Sequence, residues 1–186
     1  MRLSRHRTVN ERRYYVLQLI KTLFDIIRLQ KGPDSIPHSQ VLFAVILVMW
    51  LLAGLVMMTS APGLDARDFV IGTFIGIIGL SVYAAVIILS GRGSRLLQAI
   101  MALLGCGALI SLLFVVLDKL LPLVSSEAAA SVVATLILLW SVPVEGHIIS
   151  RTIERHWYVG IIIAMAVFVL QLVLYSIFDP STAATA

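Results

Sequence analysis

Charge is scarce in this sequence. Asp, Glu, Lys and Arg together account for 13% of the 186 residues, whereas 60% of the residues are hydrophobic. Soluble domains contain about 25% charged and roughly 45–50% apolar residues. The composition therefore argues against a soluble globular protein and predicts an integral membrane protein, too short to hold a separate soluble domain.

Cysteine and catalytic signatures are also missing. Cys106 is the only cysteine, so neither an internal disulfide nor a cysteine-based metal cluster can form, and its apolar surroundings predict a small packing residue. The sequence contains no GxxxxGK[ST], GxSxG or HExxH motif, and no GxGxxG motif that follows a strand. We therefore predict no catalytic residue, no cofactor-binding residue and no enzyme activity.

The nearest approach to a metal-ligand cluster is formed by Glu145, His147, Glu154 and His156. Within each pair the residues are two positions apart, which places their side chains on different sides of a helix. The sequence therefore predicts no metal site. We expect these residues at a helix end near the headgroups, with Arg151 and Glu154 pairing locally.

Long hydrophobic runs fill most of the chain. Each run can cross about 30 Å of hydrocarbon as a helix, and none alternates in the manner of a transmembrane strand. The predicted spans are residues 41–60, 69–89, 96–117, 128–149 and 158–178. We predict an all-α fold, with a five-helix transmembrane domain over residues 39–179 and a disordered tail at residues 180–186.

Small and polar residues interrupt these spans. Gly72 and Gly76 form a GxxxG motif, which predicts close helix packing within the bundle or, less favoured, in a dimer. The polar side chains in or near the spans are Gln98, Ser111, Thr135, Ser141, Gln171 and Tyr175, with Glu145 near an end of the fourth span. No predicted span carries an ionisable side chain near its middle, which argues against proton-coupled or ion-coupled transport.

Basic residues are distributed asymmetrically. Twelve of the 14 Lys and Arg residues fall in the N-terminal region or in the loops at residues 91–95 and 150–157, whereas acidic residues divide evenly between the two sides. The positive-inside rule then predicts a cytoplasmic N-terminus and an extracytoplasmic C-terminus. The basic residues form no groove interleaved with aromatic residues, so nucleic-acid binding is not predicted.

Residues 1–38 form a predicted cytoplasmic arm. Residues 1–13 are strongly basic, and residues 14–29 show the periodicity of an amphipathic helix, which ends before a Gly- and Pro-rich stop. The helix is too short and too polar to span, so we expect it to lie in the membrane interface, where basic residues attract anionic lipids. The alternative is a helix packed under the bundle.

Ionisable side chains concentrate in residues 140–160, between the last two spans. Together with the loop at residues 91–95 they predict a cytoplasmic interaction face, formed by Arg92, Arg95, Glu145, His147, Arg151, Glu154, Arg155 and His156. Glu145 lies two residues beyond Pro143, whose ring removes a backbone donor and bends a helix. We expect its carboxylate either to pair with Arg95 or to point into water and headgroups.

The order of these features resembles the bacterial branch of the Yip1-like family of small polytopic membrane proteins. The resemblance rests on the segment LFDIIRLQKGPDSIPHSQ before the first span, on five spans with short connections and on the outward C-terminus. It implies a non-enzymatic protein of the bacterial inner membrane that acts through protein or lipid partners. We therefore expect a non-catalytic scaffold or accessory protein, with a membrane-protein partner or as a homo-oligomer. The alternative is a small permease or transporter subunit, with substrate passing beside Pro143.

Overall fold

The structure is a computed structural model that describes residues 17–60, 65–124 and 127–178. The predicted basic arm at residues 1–13 and the predicted tail at residues 180–186 lie outside these ranges. Within the ranges the chain is helical and contains no strand. Five helices are long and apolar enough to cross a membrane. The predicted all-α fold is confirmed, and the chain is an integral membrane protein.

Six α-helices follow one another in the described ranges. The first, α1, covers residues 17–27. The five long helices are α2 (Gln40–Ser60), α3 (Ala66–Leu89), α4 (Leu96–Val124), α5 (Glu127–Ile153) and α6 (Trp157–Phe178). Short 3-10 helices at Pro33–Ser35 and Gly93–Arg95 precede α2 and α4. Each predicted span corresponds to one long helix.

Helix α5 extends beyond the predicted end of the fourth span. The prediction ended this span at residue 149, whereas α5 continues through Pro143 and Gly146 to Ile153. Proline is tolerated inside membrane helices where neighbouring groups satisfy the backbone carbonyl that it leaves free. Glu145 consequently lies eight residues before the end of α5, or about 12 Å inside at 1.5 Å per residue.

The five long helices form one bundle. Helix α4 packs between α2 and α5, α6 packs between α5 and α3, and α3 also contacts α2, α4 and α5. At one end, Lys119 donates to the carbonyl of Ser60 at 2.5 Å and Arg67 donates to that of Phe178 at 3.3 Å. We call this the far end. The opposite end, where α3 and α5 end and α4 and α6 begin, is the basic end.

Glycines set the closest helix contacts. Gly146 of α5 and Gly160 of α6 face each other so closely that a Cβ on Gly160 would overlap the carbonyl of Gly146. This crossing was not predicted. Gly76 of the GxxxG motif packs inside the bundle against Trp50 of α2, in agreement with the preferred interpretation, whereas no atom lies within 4 Å of a Cβ placed on Gly72.

Helix α1 packs against α4 and α5. The side chains of Leu23 and Ile26 are fully buried. Leu23 lies over Gly105 of α4, where a Cβ would come within 2.8 Å of it, and Trp140 of α5 donates its indole N–H to the carbonyl of Ile27 at 3.3 Å. These buried residues agree with the alternative interpretation, in which the helix packs against the bundle. Contact with anionic lipid stays a prediction.

Candidate functional site

The eight residues of the predicted interaction face separate into three groups. Those inside the bundle are Glu145 and His147, those that pair at the basic end are Arg92, Arg95 and Glu154, and those left exposed are Arg151, Arg155 and His156. Only the last two groups lie where a partner at the basic end could reach them. Among the described residues, no group of three His, Cys, Asp or Glu side chains could hold a metal ion.

Glu154 binds two arginines at the end of α5. The guanidinium of Arg92 pairs with one carboxylate oxygen, and Arg95 Nη2 pairs with the other at 2.7 Å. Glu154 adopts a φ of 54°, a left-handed conformation that is uncommon for residues other than glycine. We call Arg92, Arg95 and Glu154 the Glu154 cluster. It fastens the α3–α4 loop to the end of α5.

The predicted pair of Arg95 with Glu145 is wrong. Because α5 runs further than predicted, the residue level with Arg95 is Glu154, and Glu145 lies nine positions earlier in the chain, mostly along the helix axis. The predicted local pair of Arg151 with Glu154 is also wrong, because both oxygens of that carboxylate bind arginines from the α3–α4 loop.

Glu145 is hydrogen-bonded to a tyrosine instead. Tyr83 of α3 donates its hydroxyl hydrogen to Glu145 Oε2 at 2.6 Å, and its side chain is only 3% exposed. Hydrogen bonds of this length between a hydroxyl and a carboxylate are among the strong ones in proteins. Glu145 forms no ion pair with any residue in the described ranges. Neither predicted arrangement of this carboxylate is therefore present.

The depth of Glu145 also overturns an argument drawn from the sequence. Glu145 lies three residues from the centre of Ser131–Ile153, the part of α5 that is apolar enough to cross a membrane, or about 4.5 Å along the helix axis at 1.5 Å per residue. The prediction that no span carries an ionisable side chain near its middle is therefore wrong. Its error came from ending the fourth span at residue 149 instead of Ile153.

Glu145 lines a cavity of about 240 Å³ between α4, α5 and α6. We call it the central cavity. Its other hydrogen-bonding side chains include Ser111, Ser141 and Gln171, and the remaining lining is mostly apolar. None of the described residues that line it is Lys or Arg. The central cavity is therefore a mostly apolar pocket whose lining includes one carboxylate and no cationic side chain.

Gly79 of α3 makes room for one of these polar groups. A Cβ on Gly79 would come within 2.5 Å of Gln171 Nε2. Gly79 lies four residues before Tyr83, so the two positions occupy the same face of α3, one turn apart. The amide of Gln171 and the phenol of Tyr83 are thereby brought to the same side of the bundle interior.

His147 has a structural partner. Its Nε2 lies 3.0 Å from the carbonyl oxygen of Lys31, which requires a proton on that nitrogen. Gln98 of α4 likewise donates to the carbonyl of Ile36 at 2.7 Å. Side chains of α4 and α5 thus hold the backbone that links α1 to α2. We call α1 and this link the N-terminal segment, and His147 anchors it to α5.

Tyr83 could have been recognised from the sequence as a residue of this site. A tyrosine inside an apolar span needs a hydrogen-bond partner for its hydroxyl, because an unsatisfied polar group in hydrocarbon is costly. Tyr83 is such a tyrosine, yet its partner, Glu145, lies 62 residues further along the chain. Spacing along one helix could not identify Glu145 as that partner.

No protein-family model, curated protein or solved structure matches this chain. The resemblance to the Yip1-like family stays a prediction, and the geometry of the site alone supports a function.

Proposed function

We propose that this membrane protein binds a small monovalent cation inside its helix bundle at Glu145, and that it acts as a small permease or as a subunit of one. The observation that supports this proposal is the Tyr83–Glu145 hydrogen bond beside the central cavity. Ionisable residues within membrane spans are energetically costly and commonly mark substrate or ion pathways.

The chemistry of the central cavity favours a cation. The carboxylate of Glu145, the hydroxyls of Ser111 and Ser141 and the amide of Gln171 supply oxygen atoms, which accept hydrogen bonds from protonated amines and coordinate hard cations. An anion would face the carboxylate without any cationic side chain from the described lining to compensate it. A small cation balances the charge of Glu145.

Binding is tested by thermal unfolding of the purified full-length protein in detergent. NaCl, KCl, NH4Cl and methylammonium chloride are compared with N-methyl-D-glucamine chloride at equal ionic strength. A ligand at a hundred times its Kd adds about 2.7 kcal/mol to the free energy of unfolding, or roughly 5–10 °C in Tm for a domain of this size. We expect at least one small cation to raise the Tm of the wild type but not that of Glu145→Gln.

Transport is measured with the same cation in proteoliposomes. Glu145→Gln should abolish uptake, whereas Arg155→Gln, which removes an exposed charge at the basic end, should retain it. Equal Tm values in all salts, or a cation-induced shift that persists in Glu145→Gln, would contradict binding at this site.

A non-catalytic scaffold or accessory protein is the second candidate. Arg151, Arg155 and His156 are exposed at the basic end, beside the Glu154 cluster, and such a basic surface attracts anionic partners or lipid headgroups. The expected partner is a membrane protein or another copy of this chain. Native purification of the wild type and of Arg151→Gln/Arg155→Gln tests it: loss of a co-purifying protein or lipid in the variant supports a scaffold, and identical profiles argue against one.

We further propose that the basic end faces the cytoplasm of a bacterial inner membrane. The support is the positive-inside rule, since residues 91–95 and 150–157 both lie at this end. A reporter fused after Ala186 should then report the extracytoplasmic side, and one inserted in residues 91–95 should report the cytoplasm. The reverse pattern would overturn this orientation.

A further inference from the structure

We infer that a cation reaches Glu145 from the far end of the bundle alone, through a second cavity that meets the central cavity at Ser111. The statement that this route carries a cation rests on the proposed function. The route itself rests on the packing of the five long helices.

The second cavity lies among α2, α3, α4 and α6 and has a volume of about 270 Å³. We call it the far-end cavity. Its polar lining includes Asp68, Thr73, Tyr175 and Ser111, and Gly72 also borders it. The space is open at that glycine, because no atom lies within 4 Å of a Cβ placed there. Ser111 lines both cavities, and we place the junction of the route at this side chain.

Polar side chains continue from one cavity to the other along α6. Tyr175 lines the far-end cavity, and Gln171 lines the central cavity. The two residues are four positions apart and therefore lie on the same helix face, one turn from each other. A cation that leaves Tyr175 thus meets Gln171 and Ser111 before it meets the carboxylate of Glu145.

An acidic residue marks the entrance. Asp68 lies in the first turn of α3 at the far end, where its carboxylate accepts the backbone N–H of Asp65 at 2.9 Å. A carboxylate at the mouth of a cavity with apolar walls raises the local concentration of cations. Arg67, the residue directly before Asp68, donates a hydrogen bond to the carbonyl of Phe178.

Apolar packing closes the opposite end. Ile148 follows Glu145 by one turn of α5, and Ile87 follows Tyr83 by one turn of α3, so both lie on the basic side of the hydrogen bond. The side chains of Ile148, Ile87 and Met101 are fully buried. The lining of the central cavity on this side of Glu145 includes Ile148 and Leu103 and no charged side chain, whereas the polar lining continues towards the far end, and we therefore place the entrance at the far end.

Cysteine accessibility tests the route in the full-length chain. Cys106→Ala removes the only native thiol, and Ser111→Cys and Thr73→Cys then place a thiol at the junction and in the far-end cavity. Ala66→Cys and Ser94→Cys show which side of the membrane each end of the bundle faces. Val116→Cys, on the exposed surface of α4 and outside both cavities, is the matched control. A membrane-impermeant cationic thiosulfonate is added to one side of the vesicles at a time.

We expect Ser111→Cys and Thr73→Cys to react only from the side that labels Ala66→Cys. Their rates should exceed that of Val116→Cys by about tenfold or more, because a thiol ionises and reacts in contact with water and not in lipid. Reaction from the Ser94→Cys side, reaction from both sides, or rates no higher than that of Val116→Cys would overturn the route.

A second measurement tests, independently of the route, which cation is transported. Proteoliposomes of Ser111→Cys are assayed for uptake of protons, sodium, potassium, ammonium and methylammonium before and after labelling. If labelling abolishes uptake of one of them, that cation is the cargo. If labelling is one-sided but none of these cations moves, the route stands and the proposed transport function fails.

Discussion

Tyr83 and Glu145 join α3 to α5 through a hydrogen bond of 2.6 Å inside the bundle. No other described residue hydrogen-bonds to this carboxylate or forms an ion pair with it. The phenol therefore supplies the polar contact that allows a carboxylate to lie at this depth. The free energy of that contact can be measured, because each partner has a close replacement without the interacting group.

Tyr83→Phe should lower the free energy of unfolding by about 1–2 kcal/mol, since hydrogen bonds between membrane helices contribute up to about 1.7 kcal/mol and the variant leaves a carboxylate oxygen without a donor. Unfolding in detergent is measured for Tyr83→Phe, Glu145→Gln and the double variant. The two effects should not add, because the residues share one interaction. Arg95→Gln is the matched comparison, and its effect should add to that of Glu145→Gln. Additive effects for Tyr83 and Glu145 would show that the bond contributes nothing.

Glu154→Gln should reduce stability slightly and make it less sensitive to salt. Its pairs with Arg92 and Arg95 are partly exposed, and exposed pairs contribute about 0.2–1 kcal/mol each. Salt screens such pairs, so the Tm of the wild type should fall from low to high NaCl by more than that of Glu154→Gln. Arg155→Gln, which neutralises the next residue without breaking the cluster, is the control. An equal salt response in the wild type and Glu154→Gln would mean that the cluster does not stabilise the loop.

The spans could be predicted from the sequence because hydrocarbon dictates the length and composition of any helix that crosses it. The contacts of Glu145 could not be predicted, because the fourth span was ended too early. Ending the fourth span at residue 149 instead of Ile153 moved Glu145 about 6 Å towards the helix end, so its carboxylate was assigned an arginine at the surface. The hydropathy of residues 150–153 falls because Ser150, Arg151 and Thr152 are polar, yet Ser150 and Thr152 are buried by protein. Hydropathy cannot distinguish burial in protein from exposure to water.

The close helix contacts at glycines could not be predicted from the sequence either. Gly72 and Gly76 form a recognisable motif, but only Gly76 has a close neighbour, whereas Gly146 and Gly160 belong to no motif and make the closest crossing. Contacts between helices depend on which faces meet. One sequence without its relatives does not contain that information.

Gly160→Ala should destabilise the bundle strongly. The added methyl would overlap the carbonyl of Gly146, a backbone atom that cannot move without separating α5 from α6, and overpacking of this kind costs about 1–3 kcal/mol. Gly72→Ala makes the same chemical change where no atom lies within 4 Å, so its Tm should match that of the wild type. Similar Tm values for Gly160→Ala and Gly72→Ala would show that the crossing is not close in solution.

The N-terminal segment should lose stability under acid conditions. Lys31 Nζ lies 2.8 Å from Asp25 Oδ2, and this hydrogen bond holds the pKa of the Asp25 carboxyl below its usual range. Because the pKa is lower in the folded than in the unfolded state, the stabilisation is complete above the unfolded pKa of about 3.9 and is lost as the pH falls through the lower folded value. The pair lies next to the carbonyl of Lys31 that binds His147, so its loss should weaken the docking of α1.

Trp140 reports this docking, because its indole N–H binds the carbonyl of Ile27 at the end of α1. Its fluorescence is followed in Trp50→Phe/Trp157→Phe, which retains Trp140 as the single tryptophan, as the pH is lowered from about 6 to about 3. We expect a change in emission below about pH 4 that is already present at neutral pH in Asp25→Asn. Asp34→Asn, which alters another acidic residue of the same segment, should keep the pH response. If Asp25→Asn titrates like its parent, another group controls docking and the Asp25–Lys31 pair does not stabilise it.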